Sequence, residues 1–147
     1  MHDGGHKTYN RTSQSPTMSE DNPLLIEVTG NTATDAGSYL VTMHLRSASI
    51  RWDDTTTADK VIPWSIQRKA VTIPTVSDTA KIYDGTAQSP TVSEFDSNEI
   101  VLGGNVQETD AGSYTLTMTL TSTANYLWTD ETTGVNERAW SIARKSV

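Results

Sequence analysis

The chain contains no cysteine, which excludes disulfides, thiolate nucleophiles and thiolate metal sites. It has one phenylalanine, so aromatic packing falls to tryptophan and tyrosine. No apolar run approaches the roughly 20 residues a bilayer-spanning helix needs, and residues 1–7 lack the apolar core of a signal peptide. Positive charge is short as well: 11 basic residues stand against 18 acidic ones, for a net charge of −7. Such a surface repels a phosphate backbone or an anionic bilayer, so the expected partners include no nucleic acid and no membrane insertion. The motifs of common enzyme chemistry are also missing. There is no Gly-x-Ser-x-Gly, no phosphate-cradling glycine loop and no His-Glu-x-x-His, and the acids lie in polar, turn-like contexts that give no reason for a raised pKa. The expectation is no enzyme.

What is present is a repeat. Tyr9-Asn10-Arg11-Thr12-Ser13-Gln14-Ser15-Pro16-Thr17 returns as Tyr83-Asp84-Gly85-Thr86-Ala87-Gln88-Ser89-Pro90-Thr91. Thr-Asp-Ala-Gly-Ser-Tyr occurs at 34–39 and 109–114, and Trp64-Ser65-Ile66 returns as Trp140-Ser141-Ile142. The spacing drifts by single residues, as insertions in loops do. Two domains are expected, 1–69 and 70–147, without a Gly/Ser linker between them; 71–76 reads as the first strand of the second copy. Copy one has no evident counterpart of 71–80, so its N-terminal strand reads as missing or truncated, and a preceding segment is expected to supply it.

Both copies carry strict alternation. Tyr114, Leu116, Met118 and Leu120 share one face of 113–121 and Ser or Thr the other; Tyr39, Val41, Met43 and Leu45 repeat the apolar face, with Leu40, Thr42, His44 and Arg46 outward. A period of two with one apolar face is a half-buried strand. Residues 24–28, 61–66, 100–102 and 138–142 read as further strands between turn signals such as Asp84-Gly85, and no segment reads as a helix. Several short strands in a unit of this size predict an all-β sandwich, since one open sheet leaves a face and two edges unprotected.

The spacing Asp-x-Gly-x-Tyr, as Asp35, Gly37, Tyr39 and Asp110, Gly112, Tyr114, is similar to the tyrosine corner of immunoglobulin-like domains. Val41 and Leu116 stand where an antibody domain has its cysteine. With the Tyr-Asp-Gly-Thr entry of copy two and the closing Trp-Ser-Ile, the chain resembles bacterial immunoglobulin-like tandem repeats of the Tyr-Asp-Gly type, over residues 9–68 and 71–145. Asn10-Arg11 departs from the Asp-Gly of that pattern. The resemblance implies two Greek-key sandwiches in a large surface or secreted protein, or on a virion. The function it implies is a spacer or stalk in an adhesin-like array whose partners are neighbouring repeats. A glycan- or protein-binding module and an accessory domain of a phage particle are the alternatives.

Candidate sites are few. Trp64 and Trp140, with Val41, Met43, Leu45, Leu116, Met118 and Leu120, read as core. Trp52 and Trp128 complete four matched tryptophans, which favours packing over a sugar-stacking platform. Asp53-Asp54 and Asp130-Glu131 follow Trp52 and Trp128, but supply few of the six to eight oxygens calcium takes; no cofactor and no metal are expected. His2 and His6 could pair on a metal only on a helix, for which there is no signal, and His44 reads as a solvated surface residue. Lys60, Lys69, Lys81 and Lys145 are candidates for an internal isopeptide bond by residue type alone. Asn10-Arg11-Thr12 matches the glycosylation sequon, which a bacterial origin makes a chance match.

Overall fold

A computed structural model describes residues 5–18 and 22–147. All regular structure in them is strand, in several sheets. The chain divides into two compact units, Met1–Lys69 and Ala70–Val147.

In the first unit β1 (His6–Thr8), β2 (Ile26–Thr29), β3 (Gly37–Leu45) and β4 (Lys60–Gln67) form one sheet in the order β1-β4-β3-β2. Strand β3 is antiparallel to both β2 and β4, whereas β1 runs parallel to β4, with Lys7 opposite Ile66. The alternation of the sequence sets the faces. Val41, Met43, Ile62, Trp64 and Ile66 are buried together, with Tyr39, Ile26, Val28 and Trp52 packed around them. Leu45 is half-buried at the end of its strand.

Strand β5 (Lys69–Val71) runs into the second unit, which continues with β6 (Val76–Ser77), β7 (Ala80–Ile82), β8 (Thr91–Val92), β9 (Ile100–Gly104), β10 (Gly112–Leu120), β11 (Tyr126–Trp128) and β12 (Asn136–Ala143). Its main sheet has the order β7-β12-β10-β9, again with the outer strand β7 parallel to β12. The antiparallel ribbon β6-β8 sends Val76 and Val92 onto Leu116, Trp140 and Ile142, and β11 pairs with β5. Residues 71–76 are therefore two strands rather than one. Pro74 is buried between them, and it has no N–H to donate to a ladder that would carry one strand through this position.

Strand β1 occupies the place in copy one that β7 occupies in copy two. It was invisible as a strand because His-Lys-Thr has no apolar alternation; the parallel contact with β4 makes it one. The counterpart of β6 falls on His2 and Asp3, which lie outside the described residues, and the pairing of His2 with His6 lies outside them too.

The turn after β1 keeps its shape despite the change from Asp-Gly. Gly85 has φ 78° and Arg11 φ 69°, so Arg11 adopts the left-handed conformation that glycine takes without strain.

Candidate functional site

The residues that the repeat singles out converge on the inner edge of each main sheet. Tyr39 Oη donates to the Asp35 carbonyl at 2.5 Å, and Tyr114 Oη to the Asp110 carbonyl at 2.5 Å. Gly37 and Gly112 leave the space: a Cβ on Gly112 would stand 3.1 Å from the Tyr114 hydroxyl. Partial burial, then the charges of Glu108 and Asp110, push the Tyr114 phenol up. Trp64 donates to the Gly30 carbonyl at 3.0 Å, and Trp140 to the Asn105 carbonyl at 2.8 Å. Trp52 and Trp128 donate to Ala58 and Gly134, each at 2.7 Å. Every indole N–H is thus spent on backbone, and Trp64, Trp128 and Trp140 are buried, so these three offer no ring face to a sugar.

The carboxylates of the tryptophan loops close turns. Asp54 accepts the backbone N–H and hydroxyl of Thr56, and Asp130 those of Thr132. Thr55 and Glu131, between them, have φ 72° and 69°. Asp54 also pairs with Lys60, and the Lys60 ammonium first, then Thr56, hold its carboxyl well below the usual carboxylate range. Thr132 lowers Asp130 in the same way. Among the described residues no three His, Asp or Glu side chains, Asp53 and Glu131 included, are placed to hold an ion. The candidate isopeptide lysine Lys60 is engaged in an exposed ion pair. His44, on the outward face, bonds Asp59 through Nδ1 at 2.6 Å.

One concavity is not part of the shared scaffold. On the outer face of the first unit a cavity of about 520 Å³ is lined by residues that include His6, Ser38, Leu40, Pro63 and Ser65. Leu40 is 59% exposed and lies directly opposite Pro63. Pro63 is tolerated in the middle of β4 because the odd residues of that strand face β1: Ser65 N donates to Gly5 O, and β1 begins only opposite Ser65. Among the described residues the missing N–H therefore breaks no bond of the ladder. At the corresponding positions copy two has Thr115 and Ala139 in place of Leu40 and Pro63, and Ala80 in place of His6. His6 Nδ1 meets Ser65 Oγ at 2.5 Å, but no carboxylate lines this cavity to orient the imidazole, and the Ser65 N–H is already used. A nucleophilic serine needs both an oriented base and free oxyanion donors.

The outward position of Leu40 was readable from the alternation; its meeting with Pro63 was not, because that depends on strand register. No protein-family model matches the chain, and no curated protein matches it.

Proposed function

We propose that the chain is a pair of immunoglobulin-like β-sandwich repeats that serves as a non-catalytic, load-bearing spacer in a bacterial cell-surface adhesin-like protein. The observation that carries this reading is the parallel pairing of β1 with β4. These are the first and last described strands of their unit, and they run in the same direction. Tension entering through β1 and leaving through β4 pulls them in opposite senses along the ladder, so its hydrogen bonds, which lie across the strands, are loaded together in shear rather than opened singly. In the second unit β7, which follows β5 and β6 in the chain, likewise runs parallel to the last strand, β12.

The immunoglobulin-like assignment is supported by strand order and by the corner. Strands β2, β3 and β4, with β3 central, correspond to strands C, F and G of such a sheet, and Tyr39 then falls near the start of F, where a corner tyrosine belongs. β9, β10 and β12 correspond in the same way. The Greek-key connection is part of the proposal. A single-molecule pulling experiment through the two chain ends tests it: two discrete unfolding steps, each releasing one unit's length, are expected, and a gradual extension without steps would count against a spacer.

A second reading, recognition, is favoured by the cavity at Leu40 and Pro63, since a binding module is expected to distinguish one copy by its exposed residues. Screening glycans and proteins against the chain and a Leu40→Thr, Pro63→Ala variant, which gives copy one the face of copy two, separates the readings. Binding lost in the variant supports recognition.

A further inference from the structure

The two units differ along one edge. In unit two β5 lies along β11, and Thr129 N donates to the Val71 carbonyl at 3.0 Å. Val71 is buried there, and so are Ile100, Leu120, Tyr126 and Trp128, none of them more than 4% exposed. At the matched positions of unit one Ile26, Leu45, Ile50 and Trp52 are only half-buried. The loop itself is the same in both. Trp52 N donates to Thr56 O at 2.9 Å, as Trp128 N does to Thr132 O at 2.8 Å, and Thr55 and Glu131 share a positive φ. Yet residues 50–52 form no strand, and among the described residues the Asp53 N–H, the counterpart of Thr129, has no hydrogen-bond partner. What unit one lacks is the covering strand. At the offset that sets β1 on β7, the counterpart of β5 falls ahead of Met1.

The chain carries a second version of that strand. Ser65-Ile66-Gln67-Arg68-Lys69-Ala70-Val71 returns as Ser141-Ile142-Ala143-Arg144-Lys145-Ser146-Val147, and each stretch leads directly out of the last strand of its main sheet, β4 or β12. In the first case the stretch becomes β5. In the second, residues 144–147 belong to no strand and are exposed, Val147 completely.

We propose that Lys145–Val147 of one copy of the chain adds as a strand to Ile50–Trp52 of a second copy, with Val147 in the place of Val71 and the Asp53 N–H donating to the Val147 carboxylate. The segment that covers this loop in unit two is Lys-Ala-Val, and Lys-Ser-Val is its match, which is why a second copy is the occupant. An unpaired edge is a template for an extended segment, and covering it removes the half-buried apolar side chains from water. Arg144 and Lys145 approach a loop that bears Asp53, so charge favours the encounter. Each copy offers one donor in unit two and one acceptor in unit one; the contact is heterologous, and copies add head to tail. The pairing follows from the repeat whether or not the array serves as a spacer.

Three residues with one buried side chain make a weak contact, so the full chain is examined by sedimentation equilibrium from about 10 µM to about 1 mM. The weight-average mass is expected to rise from 16.0 kDa without levelling at a dimer. Val147→Asp, at a fully exposed position that leaves the fold intact, is expected to hold it at the monomer value. Hydrogen exchange read by NMR is expected to show the Asp53 N–H slowed by about twofold or more at the highest concentration in the wild type, and unchanged in the variant. A monomer mass throughout would overturn the proposal. So would association that survives Val147→Asp, which would come from another sheet edge, or association that leaves exchange at Asp53 unchanged.

Discussion

Tyr39 lies directly opposite Trp64 across β3 and β4, with ring centroids 5.1 Å apart and planes inclined by 35°. Tyr114 and Trp140 repeat the relationship at 5.1 Å and 40°. Each pair joins the corner to the core, since the tyrosine hydroxyl and the indole N–H reach separate backbone carbonyls. Tyr39→Phe removes only the bond to the Asp35 carbonyl and is expected to destabilise unit one by about 1 kcal/mol. Trp64→Phe also leaves the Gly30 carbonyl without its donor and opens space in the core, for a loss of about 2 kcal/mol or more. Urea unfolding of Tyr39→Leu, Trp64→Leu and the double variant, which remove the rings, gives the coupling, expected at about 0.5–1.5 kcal/mol for a packed aromatic pair. Additivity would mean the rings do not interact.

Gly30 and Gly104 hold corresponding positions at φ 73° and 68°. A Cβ on Gly104 would meet the Thr115 carbonyl at 2.6 Å, and one on Gly30 would collide with the Leu40 carbonyl. Gly30→Ala is expected to cost at least about 2 kcal/mol, because the left-handed conformation and the backbone collision add. A thermal melt unchanged by the substitution would refute the packing described at this bend.

Arg11→Gly is expected to stabilise unit one by about 1 kcal/mol, by relieving the positive φ. The same change restores the Tyr-x-Gly-Thr pattern of copy two, so the gain should be read against an unaltered unit two in the same denaturation curve.

Acid should weaken the turns of copy two before the first turn of copy one. Asp54, Asp84 and Asp130 have folded pKa values held below their unfolded ones by Lys60 and Thr56, by Thr86 and by Thr132 respectively. Each therefore adds stability that is complete above the ordinary carboxylate pKa, near 4, and is lost as the pH falls from there through the folded value. Asn10 does not titrate. Asp84→Asn is expected to flatten the acid limb of unit-two stability below about pH 4, and an unchanged limb would show that the turn carries no linkage.

Much of this arrangement was legible in the sequence for a physical reason: a strand with one wet face writes its period into the chain. The faces of β3 and β10, the paired tyrosines and the core tryptophans could be read that way. Strand β1 could not, because three polar residues become a strand only by pairing with β4, and the contact of Trp64 with Gly30 joins residues that no local pattern links. The break at Pro74 was readable and was overridden by the run of β-branched residues around it. The outer-face cavity was the least legible part, since it depends on which residues the β3–β4 register sets side by side.

The load-bearing claim depends on the ladder between β1 and β4, and two proline substitutions isolate it. Gly5 O accepts from Ser65 N and Tyr9 N donates to Gln67 O, so the odd residues of β1 face β4. Lys7 N–H therefore lies in the ladder and Thr8 N–H points out of it. The decisive measurement is the lifetime of unit one under constant tension applied through the chain ends, for Lys7→Pro against Thr8→Pro. A lifetime about tenfold shorter is expected for Lys7→Pro, the effect of one lost ladder bond of about 1.4 kcal/mol, with Thr8→Pro close to wild type. Equal lifetimes for the two variants would contradict it.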